Sequence, residues 1–221
     1  YETAKWMAGK VSVPVAIHLD HGDSFERCME MLKLGFTSIM FDGSALPVEE
    51  NAAATEAVAR VCRSFGVPLE AEIGELCRLD DRGNKIGASN IADPDVVRQY
   101  LKLCHPDSLA IGIGNAHGFY NGPVDIRVEV LEECRKFTDI PFVLHGCTGM
   151  DEELVKRSID SGVAKINFGT QVRCQYVNYL KEGLAEGKDQ GHAWKLSQYA
   201  ELRLREDIKD IIRLAGSKEK A

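Results

Sequence analysis

The chain has 221 residues, 44% hydrophobic and 28% charged, with a formal net charge of −7. That length holds one large domain or two small ones. The acidic balance speaks against a nucleic-acid partner or a polybasic membrane role, and no apolar run approaches the roughly 20 residues that span a bilayer. Seven cysteines, odd in number and without a CxxC pair, make a poor disulfide framework and a poor structural zinc site; they point to reduced thiols in a cytoplasmic protein.

Residues 1–10 (YETAKWMAGK) read as a helix feeding a first strand over 13–20 (VPVAIHLD). Residues 24–34 carry Phe25, Cys28, Met29 and Leu32 at helical spacing and close on Gly35. A second strand follows over 37–43 (TSIMFDG), a helix over 49–64 closing at Gly66, and a third strand over 67–74 (VPLEAEIG). Residues 75–92 (ELCRLDDRGNKIGASNIA) break the rhythm, and a long charged loop in that position suits a lid or a substrate loop. Asp93-Pro94 opens a helix over 94–104, and strands over 107–118, 140–146 and 163–169 alternate with helices over 124–137 and 151–161. The remainder, 172–214, is helical in pattern, with Leu196, Tyr199, Leu202, Ile208, Ile211 and Ile212 on recurring positions, and serves either oligomer contacts or cover for the sheet.

Strand and helix thus alternate six times, which implies a parallel sheet with crossover helices. No GxGxxG follows the first strand, so a doubly wound dinucleotide fold lacks its signature. Polar residues instead end nearly every strand: Asp20 and His21, Asp42, Glu72, His117, His145 and Asn167. In a barrel those ends converge on one mouth. The expected fold is therefore a single α/β domain over 1–221, a (β/α)8 TIM barrel with C-terminal helices over 172–216. Six strands are counted where a barrel has eight, so about two N-terminal βα units are expected ahead of Tyr1.

His21, His117 and His145 each end a strand and each precede a glycine. One such histidine is usually a satisfied core or capping residue, but three in the same slot share a cause. Three neutral imidazoles leaving a position open is the plan of a catalytic zinc site. Asp20 neighbours His21 but points to the other side of an extended strand; a turn at Gly22 would bring both to the mouth. There it acts as general acid or base, or else orients an imidazole. Asp42 and Glu72 read as acids behind the ligands, and His105 and His192 as structural or exposed. HGCTG (145–149) and NFGT (167–170) each precede a helix, and hydroxyls and free N–H groups at helix starts make an anion site. Side by side with a metal histidine, they indicate a phosphorylated substrate.

In order and spacing, HLDHG, DGS, EAEIG, GNAHGFY, LHGCTGM and AKINFGT resemble the motifs of the class II, zinc-dependent ketose-bisphosphate aldolases, most closely the fructose-1,6-bisphosphate and tagatose-1,6-bisphosphate branch. The resemblance implies a (β/α)8 barrel, cytoplasmic, assembled as a homodimer or homotetramer. It makes His21, His117 and His145 the Zn2+ ligands, with Glu72 and Asp42 able to hold displaced metal. Asp20 becomes the acid/base at the C4 hydroxyl and Asn167 the holder of the enediolate. Gly118, Gly146, Thr148, Asn167 and Thr170 line the substrate and its phosphate, with a monovalent cation such as Na+ or K+ nearby. The family's mobile loop carries glycines and an acid after the Glu72 strand; here it reads CRLDDRG, so Arg78 and Leu79 replace glycine and Asp80 or Asp81 supplies the acid. Cys147 is an unusual occupant of the phosphate motif. The implied reaction is reversible cleavage of fructose-1,6-bisphosphate, or of its C4 epimer tagatose-1,6-bisphosphate, to dihydroxyacetone phosphate and glyceraldehyde 3-phosphate. Two other enzymes remain open on the residues: a Schiff-base aldolase using Lys165, which shares the parity of Asn167, and a metal-assisted hydrolase.

Overall fold

A computed structural model describes residues 1–79, 85–86, 91–118 and 125–220. Its elements, in chain order, are α1 (Glu2–Ala8), β1 (His18–Gly22), α2 (Phe25–Leu34), β2 (Ser38–Phe41), α3 (Val48–Phe65), β3 (Leu69–Ile73), β4 (Cys77–Leu79), β5 (Lys85–Ile86), α4 (Pro94–Leu103), β6 (Ser108–Ile111), β7 (Ala116–His117), α5 (Glu129–Arg135), β8 (Phe142–Leu144), α6 (Glu152–Asp160), β9 (Val163–Ile166), α7 (Thr170–Ala185) and α8 (Ala193–Leu214). The helices start and stop on recognisable signals. The Ser24 hydroxyl accepts from Arg27 N to cap α2, Asp93 caps α4 with Pro94 in its first turn, and Asp151 caps α6.

Six strands form one parallel sheet in the order β1-β2-β3-β6-β8-β9, so sequential βα units lie side by side. The sheet is curved enough for its two end strands to meet through side chains: Lys165 Nζ on β9 lies 3.3 Å from His18 Nε2 on β1, and Asn167 Nδ2 donates to Asp20 Oδ1 at 3.2 Å. This is a parallel half-barrel with helices on its outer face. The two further strands of a closed eight-stranded barrel are not among the described residues.

Two apolar clusters sit between sheet and helices. One packs Tyr100, Ile111, Leu131, Phe142 and Val155 between the later strands and α4–α6. The other packs Cys28, Leu32, Ile39, Val58 and Leu69 under α2 and α3. The expected C-terminal helices are α7 and α8, separated by a turn in which Gly187 and Gly191 have positive φ. They pack on each other, and Leu214 at the end of α8 reaches the larger cluster.

Three expectations are corrected. The first strand begins at His18, not at residue 13; Val13 and Val15 are 49% and 48% exposed, so the apolar run before it is not core. The run 107–118 is not one strand: β6 stops at Ile111, and His117 lies on β7, in a second sheet of order β5-β4-β7. Gly112 and Gly114, the latter with φ +93, break the chain between them. The helix expected over 124–137 spans only Glu129–Arg135.

Candidate active site

The ends of β1, β2, β3, β8 and β9, together with β7, surround a cavity of about 640 Å³ lined by Asp20, His21, Asp42, Glu72, His117, Gly118, Gly146, Thr148, Asn167 and Thr170, among others. Of the described residues assigned to metal, catalysis or phosphate by the resemblance, all but one therefore reach this cavity. His145 follows β8 and lies behind its wall, 1% exposed. Asp80 and Asp81 lie outside the described residues; Glu75, at the start of the same segment, lines the cavity.

Asp20 and His21 face the same space despite being adjacent. His21 has φ +50, and the β1–β2 register slips between Leu19 and Gly22. A β-branched or bulky side chain rarely adopts that backbone, and it costs on the order of 1–3 kcal/mol. The bulge re-aims the imidazole, which the alternation of a regular strand would have turned away.

The three imidazoles stack edge to face. Ring centroids are 5.0 Å apart for His21 and His117, 4.8 Å for His21 and His145, and 5.9 Å for His117 and His145. One nitrogen from each lies within 4.8 Å of the others, and a His21 nitrogen and one carboxylate oxygen each of Asp42 and Glu72 lie equally close together. His21 Nε2 and Glu72 Oε2 are shielded from solvent with no hydrogen-bond partner among the described residues. Each such orphan costs about 1–3 kcal/mol. A cation between them would remove both penalties, so the donor set fits a divalent metal with nitrogen and oxygen ligands.

Asp42 is engaged by its neighbours. Its Oδ2 is bonded to His21 Nδ1 at 2.6 Å, and Ser44 donates to Oδ1 from its hydroxyl at 2.7 Å and its backbone at 3.1 Å. Burial opposes ionisation, but the bonds from His21 and Ser44 outweigh it and bring Asp42 down to about 2. Burial would likewise lower His21, yet Asp42 and the nearby Glu72 raise it above its usual value. With Nδ1 held by Asp42, Nε2 is the nitrogen aimed at the metal space. Burial, reinforced by Asp42, pushes Glu72 up to about 8; a cation beside it would favour the carboxylate instead.

Asn167 ties the cavity wall together. Its Nδ2 lies 3.2 Å from Asp20 Oδ1 and 3.1 Å from His145 Nδ1. The phosphate-type loops are also joined, because Gln171 N in the first turn of α7 donates to the Thr148 hydroxyl at 3.1 Å. Helix α7 has no side-chain cap, and Gly169 and Thr170 at its start line the cavity. Arg173 leans over Gly169, in the space a side chain there would fill, and donates to Thr170 Oγ1 at 3.2 Å. It lines the cavity and was not anticipated.

Glu70 is the principal residue the sequence reading missed. It is 2% exposed, on β3, and its carboxylate bonds His145 Nε2 at 2.8 Å and Lys165 Nζ at 2.8 Å. Burial opposes its ionisation, but His145 and Lys165 outweigh that and hold it below the usual carboxylate range. The signal was available: Glu70 stands two residues before Glu72, hence on the same face of β3. Lys165 is engaged by Glu70 and His18 and does not line the cavity, which speaks against the Schiff-base alternative.

The model of the family described as class-II fructose-bisphosphate aldolase matches residues 1–220. The chain belongs to the class II fructose-bisphosphate aldolase family. It is accordingly a lyase by family. It is 35% identical over 213 residues to a fructose-bisphosphate aldolase of Staphylococcus epidermidis, covering 96% of this chain and 73% of that one. It is 40% identical over 161 residues to a 6-phospho-5-dehydro-2-deoxy-D-gluconate aldolase of Bacillus velezensis, covering 73% of this chain and 55% of that one. Among solved structures, the YdjI aldolase of Escherichia coli K12 superposes with a TM-score of 0.81 at 30% identity, over 98% of this chain and 74% of that one. No helix among the described residues is long and apolar enough to cross a membrane.

Proposed function

We propose that this protein catalyses zinc-dependent, reversible aldol cleavage of a phosphorylated ketose, with fructose-1,6-bisphosphate as substrate and dihydroxyacetone phosphate and glyceraldehyde 3-phosphate as products. The observation that carries this reading is the orphaned pair His21 Nε2 and Glu72 Oε2 beside a cluster of three imidazoles, in a cavity also lined by Thr170 at the start of α7. His21, His117 and His145 would hold the metal, which when bound supplies Lewis-acid polarisation of the ketose carbonyl.

The chain's own residues do the rest. The α7 start, Gly118, Gly146, Thr148 and Thr170 bind one phosphate and fix the carbon chain across the cavity. Asp20 takes the proton of the C4 hydroxyl. The O–C4 bond becomes a carbonyl, the C3–C4 bond breaks, and its electron pair passes to the fragment bearing C1–C3 as an enediolate. The Asn167 amide, within reach of both Asp20 and His145, donates to that developing charge. An acid of the 75–92 segment, Asp80 or Asp81 with Glu75 as the next candidate, returns a proton to C3.

The test is release of dihydroxyacetone phosphate by the zinc-loaded protein from fructose-1,6-bisphosphate, with tagatose-1,6-bisphosphate and 6-phospho-5-dehydro-2-deoxy-D-gluconate as comparators. Cleavage that is abolished by a chelator and restored by Zn2+ is expected. Preference for a comparator would move the substrate assignment, and release insensitive to chelator would overturn the metal mechanism.

A further inference from the structure

A buried carboxylate in the curve of a sheet needs a reason, because replacing a buried ion pair with apolar groups is often neutral or stabilising. Glu70 has such a position at 2% exposure, and its two oxygens are divided between two partners. Oε1 meets His145 Nε2 at 2.8 Å; Oε2 meets Lys165 Nζ at 2.8 Å. The same lysine approaches His18 Nε2 at 3.3 Å, and His18 Nδ1 in turn meets Ser38 Oγ at 2.8 Å. Lysine only donates, so His18 Nε2 is the acceptor and its Nδ1 carries the proton to Ser38. The lysine is thereby fixed from one side, and it fixes the carboxylate from the other.

We propose that Glu70 is a positioning residue of the metal centre: held by Lys165, it accepts the Nε2 proton of His145 and so presents the Nδ1 lone pair of that ring to the metal. The inference rests on the three imidazoles being a metal site. A neutral imidazole has one N–H and one lone pair, and an ionised carboxylate cannot donate, so the proton is on Nε2. The other side of the ring agrees, since Asn167 Nδ2, a donor, lies 3.1 Å from His145 Nδ1. His21 is set the opposite way, with Asp42 on Nδ1 and Nε2 exposed to the metal space. Two carboxylates on two strands thus select opposite nitrogens of two rings. The competing account is that Glu70 and Lys165 merely pin β3 to β9.

Two double variants separate these accounts. In E70L/K165M both charges and the acceptor are gone; in E70Q/K165M both charges are gone but an amide oxygen still accepts from Nε2. Zinc affinity, measured by competition with a chromophoric chelator, is expected to fall by about 10–100-fold in E70L/K165M and to stay close to wild type in E70Q/K165M. Long-range 1H–15N spectra of the metal-free wild type should show His145 protonated on Nε2. Equal zinc loss in both variants would assign the pair to structure alone, and unchanged affinity in E70L/K165M, or an Nδ1–H tautomer in the wild type, would overturn the proposal. If the leucine variant does not fold, zinc retained or lost by E70Q/K165M decides together with the tautomer. A wild type that binds no zinc would overturn the metal site itself, whereas the metal-free tautomer reports on Glu70 alone.

Discussion

Gly146 and Gly66 offer a controlled comparison. Both have the left-handed backbone, with φ +67 and +66, but a methyl added at Gly66 meets nothing within 4 Å. One added at Gly146 would lie 2.7 Å from the carbonyl carbon and 3.1 Å from the nitrogen of Ala116, with the carbonyl oxygen closer still. Gly66→Ala therefore costs only the left-handed strain, about 1–2 kcal/mol, or roughly 2–8 °C in Tm for a chain of this size. Gly146→Ala adds an overpacking cost of about 1–3 kcal/mol, which side-chain motion cannot relieve because the obstacle is backbone. Its total is about 2–5 kcal/mol, or roughly 4–20 °C. The displaced residue, Ala116, is buried and adjoins His117, while Gly146 adjoins His145. Gly146→Ala should consequently lose zinc affinity and Gly66→Ala should not. Thermal melts of the metal-free proteins and zinc titrations measure the two terms separately. Equal melting shifts, with full zinc binding in Gly146→Ala, would refute the argument that close backbone approach positions the ligands.

Asp20→Asn should leave zinc content unchanged and slow cleavage by about 10²-fold or more, the usual scale for a lost general base; a fall in zinc content of the same order would make Asp20 a structural residue. Among cysteines with described side chains, Cys174 alone is not buried, while burial pushes Cys28, Cys134 and Cys147 up to about 12 and Cys62 and Cys104 up to about 11. At pH 8 iodoacetamide should therefore label Cys174 ahead of these five, because the thiolate is the reacting form; peptide mapping that finds Cys147 modified first would contradict the packing around the phosphate loop.

The clustering of His21, His117 and His145 was legible because its signal is local: imidazole followed by glycine, three times, each after a β-rich run. What was not legible depends on partners elsewhere in the chain. Alternation along a regular strand places Asp20 and His21 on opposite faces, and the slip against β2 that reunites them cannot be read from residues 18–22 alone. The apolar residues 13–17 carry strand propensity, but Val13 and Val15 are exposed, so the propensity did not decide the structure. In DSLAIGIGNAHG the apolar run conceals a change of sheet between Ile111 and Ala116. Glu70 went unnoticed for a different reason. Its position on the face of β3 shared with Glu72 was legible, but its partners Lys165 and His145 lie 95 and 75 positions away in sequence.

The small sheet alters how the segment after β3 should be understood. Strand β4 pairs in parallel with β7, Cys77 opposite Ala116 and Arg78 opposite His117, and β5 pairs with β4 on its other side. The backbone that leads out of the Glu72 strand is therefore laced to the backbone that carries His117. Strand β4 cannot be displaced while His117 stays still unless that ladder breaks. With His117 holding zinc as proposed, β4 and the metal centre share a mechanical linkage, so a substitution at residues 77–79 should lower zinc affinity, measured by chelator competition, as well as turnover.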